Sequence, residues 1–193
     1  MKKIKQIFVI NGLPRSGKDT FVDEFNCIYN QCINIAYVHN YSLVHDIKEI
    51  AKRIGWNGEK DDKSRKFLSD LKDLTDKYNN FSLNATIKEI EVFLYNKEEM
   101  TSNSFLFIHA RDPQDIEFIC NKYNAKSILI RRLGNEIIDC HSEYSNHADC
   151  NVYDYSYDYE IINPGTKIED YDANIKLFIG DFLNDYKCSR ENV

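Results

Sequence analysis

Gly12-Leu13-Pro14-Arg15-Ser16-Gly17-Lys18-Asp19-Thr20 is the stretch of this chain whose residue types and spacing carry the clearest chemistry. Two glycines with four residues between them, followed at once by a lysine, have the spacing of a loop that cradles phosphates. Gly12 and Gly17 let the backbone turn back, so that loop N–H groups converge on one phosphate chain. A helix starting beyond them adds positive potential at the same place. Pro14, Arg15 and Ser16 complete the cradle, and Lys18 would bridge the terminal phosphates as a mobile point charge. Asp19 stands where Ser or Thr usually ligates Mg²⁺; a carboxylate can hold that hard cation directly or through water. Thr20 then offers its hydroxyl to an inner phosphate. Asp19 is also what the first turn of any helix favours, an acid near the N-terminal dipole. The ligand expected of the loop is a nucleoside triphosphate.

Arg15, Arg65, Arg111, Arg131 and Arg132 fall in loops or at element ends, where a planar fork can clamp phosphate with two hydrogen bonds. Each also reads as an ordinary solvated charge. Arg111 stands out because it follows an apolar strand, and strand carboxyl ends in α/β sheets face the ligand crevice. Arg53, Arg190 and Lys48 read as surface charges. Cys140-His141 with His147 and Cys150 offers zinc-binding residue types, but it lacks paired Cys-x-x-Cys spacing, which favours free thiols and polar histidines. Tyr144, Tyr153, Tyr155, Tyr157 and Tyr159 alternate as in a strand or ribbon and read as half-buried packing, with stacking of one ring on a base as the alternative.

These groups need a scaffold. Short apolar runs alternating with helical stripes indicate a parallel sheet covered by helices. Residues 4–10 read as a first strand directly before the glycine loop, and Phe21, Val22, Phe25 and Ile28 as a helix directly after it. Residues 33–38 suit a second strand. Ser42 suits a helix N-cap, with Leu43, Ile47, Ile50, Ala51 and Ile54 forming one face that stops at Gly55. Phe67, Leu71, Leu74 and Tyr78 form a further stripe, as do Ile87, Ile90 and Leu94, so residues 40–100 read as an inserted helical lobe. Residues 105–108 form a buried strand, Pro113 starts a helix, and 127–130 and 159–162 are further strands. A last helix follows Asn163-Pro164-Gly165 and carries Tyr171, Ile175, Phe178 and Phe182 inward.

The 193 residues suit one domain with a sub-lobe. A net charge of −6 argues against general nucleic-acid or anionic-membrane binding. The apolar runs are too short to span a bilayer. With no export-type leader pattern, the 6 cysteines read as reduced thiols and the location as cytoplasmic.

Gly-x-x-x-x-Gly-Lys-Asp-Thr near the N-terminus resembles the P-loop kinases of the nucleoside monophosphate kinase type, most closely the phage-type deoxynucleoside monophosphate kinases. Animal phosphomevalonate kinase is a looser likeness. The segment from Ser42 to Gly55 resembles the helix bordering the monophosphate site. Asp61, Asp62, Arg65 and Leu68 resemble the charged helix whose arginine holds the acceptor phosphate. His109-Ala110-Arg111-Asp112-Pro113 resembles a strand-end Asp-x-Arg segment, except that His109 stands where the group often has Asp. The stretch Ile162-Asn163-Pro164-Gly165-Thr166 resembles the loop bordering adenine. The resemblance implies a three-layer α/β P-loop kinase fold over residues 1–193, with the helical acceptor lobe at 40–100 and a lid at 133–157.

It implies ATP and Mg²⁺ as ligands, with Asp19 near the metal. Gly12, Pro14, Arg15, Ser16, Gly17, Lys18, Asp19, Thr20, Arg132 and Gly165 would surround ATP. Ser42, Arg65 and Arg111 would receive the acceptor, and Lys18, Arg15, Arg111 and Arg131 would act on the transferred group. The expected partner is a small nucleotide acceptor, with a homodimer left open. Dephospho-coenzyme A or a phosphorylated metabolite is the alternative acceptor, and a regulatory nucleotide-binding module without transfer activity is the alternative class.

Overall fold

Strands that are apolar on both faces need cover on both sides, and that requirement organises the molecule. The computed structural model describes residues 3–59, 61–96, 102–134 and 151–191, except the side chains of 189–191. Its strands are β1 (Lys5–Asn11), β2 (Ala36–Ser42), β3 (Asn103–His109), β4 (Lys126–Arg132) and β5 (Tyr159–Asn163). They form one parallel sheet in the order β2-β3-β1-β4-β5, with β1 at the centre. The helices are α1 (Lys18–Cys32), α2 (His45–Arg53), α3 (Asp62–Asn79), α4 (Phe81–Tyr95), α5 (Pro113–Tyr123) and α6 (Ile168–Glu191).

Alternate residues of β1 serve opposite layers. Phe8 and Ile10 pack with Phe21 and Phe25 of α1 and with Phe178 and Phe182 of α6. Ile7 and Val9 pack with Ile90 and Phe93 of α4 and with Ile116 and Ile119 of α5. The connection from β1 to β2 runs one way along the sheet and that from β3 to β4 the other. Right-handed crossovers therefore place α1 and α5 on opposite faces. Among the described residues no helix is long and apolar enough to cross a membrane.

Three local expectations are corrected. The second strand begins at Ala36, not Ile33, because the amides of Ile33 and Asn34 turn back to the Tyr29 carbonyl at 3.0 and 3.2 Å and end α1. Ser42 is not a helix cap: it is the last residue of β2, paired in register with His109. The Leu43 amide prolongs that contact to the His109 carbonyl (3.0 Å), and Val44 takes the cap position of α2. The α3 stripe does not enter the core: Leu74 is 68% and Tyr78 88% exposed, and α3 has no buried residue. Of the helices between β2 and β3, α4 brings Ile90 and Phe93 to the core against the sheet, and α2 buries Ile47 and Ala51.

Asp158 fixes the start of β5 against β4. Its carboxylate accepts from the Ser127 amide and hydroxyl, both at 2.8 Å, and from Lys126 at 2.9 Å. Partial burial opposes its charge, but the Ser127 and Lys126 donors prevail and hold the carboxyl below its usual range. A depressed carboxyl stabilises the fold above the ordinary Asp pKa and loses that contribution as pH falls through the folded value. Asp158→Asn is therefore expected to cost about 1 kcal/mol at pH 7. In thermal unfolding, the gap between variant and wild-type Tm closes as the pH is brought down through the acid range.

Candidate functional site

Adjacent β1 and β4 send their connections in opposite directions, toward β2 and β5, which opens a crevice beyond their carboxyl ends. The 12–17 loop sits there. Gly12 has φ +150°, and a Cβ on it would run into the Ile130 carbonyl and lie 2.7 Å from Ser16 Oγ. Gly17 has φ +94°, and its Cβ would lie 2.5 Å from Asn163 Nδ2. The Ser16 amide closes the turn onto the Leu13 carbonyl at 3.1 Å.

Three consecutive carbonyls of the loop are tied to the scaffold. Arg132 Nη1 donates to the Arg15 carbonyl (3.2 Å), Asn163 Nδ2 to that of Ser16 (2.9 Å), and the Tyr171 hydroxyl to that of Gly17 (3.3 Å). Across a trans peptide the next N–H points the opposite way. Holding the Ser16 and Gly17 carbonyls against β5 and α6 thus turns the following amides, of Gly17 and Lys18, toward the concave side of the loop, while the Ser16 amide is spent on the Leu13 carbonyl. No side chain caps α1, so its first-turn amides add to that side. Lys18 Nζ lies within the loop, donating to the carbonyls of Gly12 (2.6 Å) and Leu13 (2.8 Å) and to Ser16 Oγ (3.4 Å). The arrangement is a cationic cradle of main-chain donors, which is what a chain of phosphates requires.

Gly17→Ala tests the cradle directly. The new methyl must displace Asn163 and accept a strained positive φ, at a cost of about 1–3 kcal/mol. The expected result is a lower Tm together with loss of nucleotide binding by calorimetry, whereas Gly55→Ala, with nothing near its Cβ, leaves binding intact.

His109 ends β3 beside the cradle. Burial pushes its imidazole down to about 4; the facing charges Lys18, Lys48 and Arg111 act in the same direction, and Asp19 opposes them. The ring is therefore neutral at neutral pH. Its Nε2 is buried without a hydrogen bond and lies 3.8 Å from Asp19 Oδ1, on a side chain 87% exposed. One carboxylate oxygen and one imidazole nitrogen form a donor set that fits a divalent cation. Among the described residues no three His, Cys, Asp or Glu converge, so further donors would have to come from a nucleotide or water.

The other expected residues divide by place. Thr20 is exposed in the first turn of α1, and Pro14 is half-buried in the loop. Arg132 borders the cradle together with Gly165, whose Cβ would lie 3.2 Å from Arg132 Nε. Arg131, next along β4, points elsewhere, pairing with Glu160 at 3.3 Å and lying over the Tyr153 ring at 5.7 Å. Arg111 is half-buried near His109. Arg65 is exposed in the first turn of α3, paired with Asp62 at 3.4 Å. Cys140, His141, His147 and Cys150 lie outside the described residues, as does most of the expected lid.

The residues that sequence reasoning missed are the supports. Asn11 Oδ1 accepts from the Gly12 amide (2.8 Å), while its Nδ2 donates to the Arg111 carbonyl (3.2 Å) and the Tyr157 hydroxyl (2.8 Å). Tyr157 in turn donates to the Val152 carbonyl at 2.8 Å, and burial pushes its hydroxyl up to about 12, so it stays a donor. Asn163 and Tyr171 hold the loop from behind, and the Lys48 charge on α2 acts on His109. The available signal was a polar residue, Asn11, closing an apolar strand, and an Asn directly before Pro164-Gly165. No protein-family model matches the chain, and no curated protein matches it.

Proposed function

We propose that the protein is an ATP-dependent P-loop kinase that transfers the γ-phosphoryl group to a nucleoside or deoxynucleoside monophosphate. The observation that carries this reading is the glycine loop at the carboxyl end of the central strand, with the Lys18 ammonium inside it. In the proposed reaction an acceptor phosphate oxygen forms a bond to the γ-phosphorus as the bond to the β–γ bridging oxygen breaks, and ADP leaves. Such transfer needs little covalent chemistry from the protein; positioning and charge stabilisation dominate.

The loop amides and Lys18 hold the donor phosphates. Arg132, already bonded to the loop at Arg15, supports a role at the donor, with Gly165 beside it near the base. Arg111 at the strand end is the first choice to clamp the acceptor phosphate, and Arg65 and Ser42 extend that side. Arg131, engaged with Glu160, acts on the transferred group only if that pair opens. Asp19 would hold the Mg²⁺ of the expected reaction, which when bound neutralises charge on the donor phosphates.

The test is ADP production from Mg-ATP across ribo- and deoxynucleoside monophosphates, dephospho-coenzyme A and phosphomevalonate. A rate confined to one nucleotide class supports the reading and names the acceptor. A rate only with another acceptor replaces the substrate and keeps the reaction. ATP binding without any acceptor-dependent turnover overturns the kinase reading in favour of a regulatory nucleotide-binding module.

A further inference from the structure

We propose that His109 Nε2 and the Asp19 carboxylate are joint ligands of the divalent cation that accompanies the bound nucleotide, and that the nitrogen donor shifts the site's preference from Mg²⁺ toward Mn²⁺ and similar borderline ions. This rests on the reading of the 12–20 loop as an ATP site.

The first support is an unexplained polar atom. His109 Nε2 is buried and makes no hydrogen bond, which a folded protein rarely tolerates without a use. The second is its neighbour: Asp19 Oδ1 lies 3.8 Å away, too far for a hydrogen bond. Two donors on one ion, each at about 2.0–2.2 Å, stand about 3.0–3.4 Å apart. Asp19 is 87% exposed and free to rotate through the remainder, whereas His109 is held in β3, paired in register with Ile10 and Ser42. The preorganised donor is therefore the nitrogen.

Donor chemistry then sets the choice of ion. Mg²⁺ takes oxygen ligands and keeps its waters, while imidazole suits transition ions. Lys18, Lys48 and Arg111 also face His109, so a bare cation is repelled and the site forms only when phosphates balance those charges. Mn²⁺ binding is thus expected to be weak for the protein alone and strong with nucleotide.

The experiment uses the full chain, made with ¹⁵N-histidine and loaded with Mn²⁺ and a non-hydrolysable ATP analogue. Pulsed electron paramagnetic resonance should show ¹⁵N coupling to Mn²⁺ in the wild type and none in His109→Gln. In Mg²⁺ competition, His109→Asp should reduce the preference for Mn²⁺ at least about 10-fold, the smaller loss typical even of groups behind the direct ligands. Absence of ¹⁵N coupling in the wild type, or coupling that survives in His109→Gln, overturns the proposal, and the wild-type spectrum does so without relying on any variant's folding. Calorimetry of the analogue without metal, against Lys18→Ala, separates the two readings. Lys18-dependent binding without histidine coupling sinks the cation proposal alone, and no analogue binding sinks both.

Discussion

Lys18→Ala should lower acceptor-dependent ADP release by about 10²–10³-fold, the usual effect of removing one preorganised group that meets transition-state charge. The ammonium is the charged donor at the centre of the cradle, held there by the carbonyls of Gly12 and Leu13. Its loss also removes these hydrogen bonds, each worth about 1 kcal/mol. The variant therefore should remain folded but with a somewhat lower Tm. Lys18→Arg should not rescue turnover, because a planar guanidinium cannot occupy the place of a compact ammonium that donates in three directions. Steady-state rates and thermal unfolding, measured on the same preparations, check both parts. Unchanged turnover in Lys18→Ala would remove the ammonium from the mechanism.

The largest stability effect should come from Phe8→Ala, a loss of about 3–5 kcal/mol. Phe8 is fully buried in the central strand, with ring centroids 5.1 Å from Phe107, 5.6 Å from Phe178 and 5.1 Å from Phe182. No side chain can reach across to fill the space, because the surrounding rings already contact one another through Phe25 and Phe107. For a chain of this size each kcal/mol moves Tm by about 2–4 °C, so the expected fall is roughly 6–20 °C. Tyr78→Ala on α3, by contrast, removes a side chain 88% exposed and should change stability by less than about 0.5 kcal/mol. A small effect at Phe8 would mean that α6 is not seated on this face.

Much of the fold was legible because the controlling signals are local. The strand from Lys5, the helix from Lys18, the strand through Phe105 to Ile108, the Pro113 helix start and the last helix each follow from apolar period and end signals within a few residues. The misplacements have one kind of cause. Ser42 has the chemistry of a cap, but β3 offers it a pairing partner at His109, and the ladder runs on past Val38 to Ser42, beyond where the local signal ends it. The α3 stripe has helical spacing, yet spacing alone does not say whether a partner exists; Phe67, Leu74 and Tyr78 stay at the surface. Asp61, in contrast, caps α3 through its bond to the Ser64 amide at 2.7 Å, a contact made entirely within one turn.

The candidate site divides the same way. The residue order from Gly12 to Thr20 carries its own chemistry, since two glycines, a lysine and a helix start are all that a phosphate cradle needs from the local chain. Its completion depends on residues remote in sequence. Parallel pairing in the order β2-β3-β1-β4-β5 brings His109 to Asp19, Arg132 to Arg15 and Asn163 to the Ser16 carbonyl, and the packing of α6 on the α1 face brings Tyr171 to that of Gly17. The same β4 chain separates two adjacent arginines: Arg132 borders the loop, while Arg131, on the other side of the pleat, meets Glu160 and Tyr153. Short-range spacing specifies which backbone can bind phosphate. Long-range packing decides which side chains surround it, because strand order is set by the burial of whole faces rather than by any one residue.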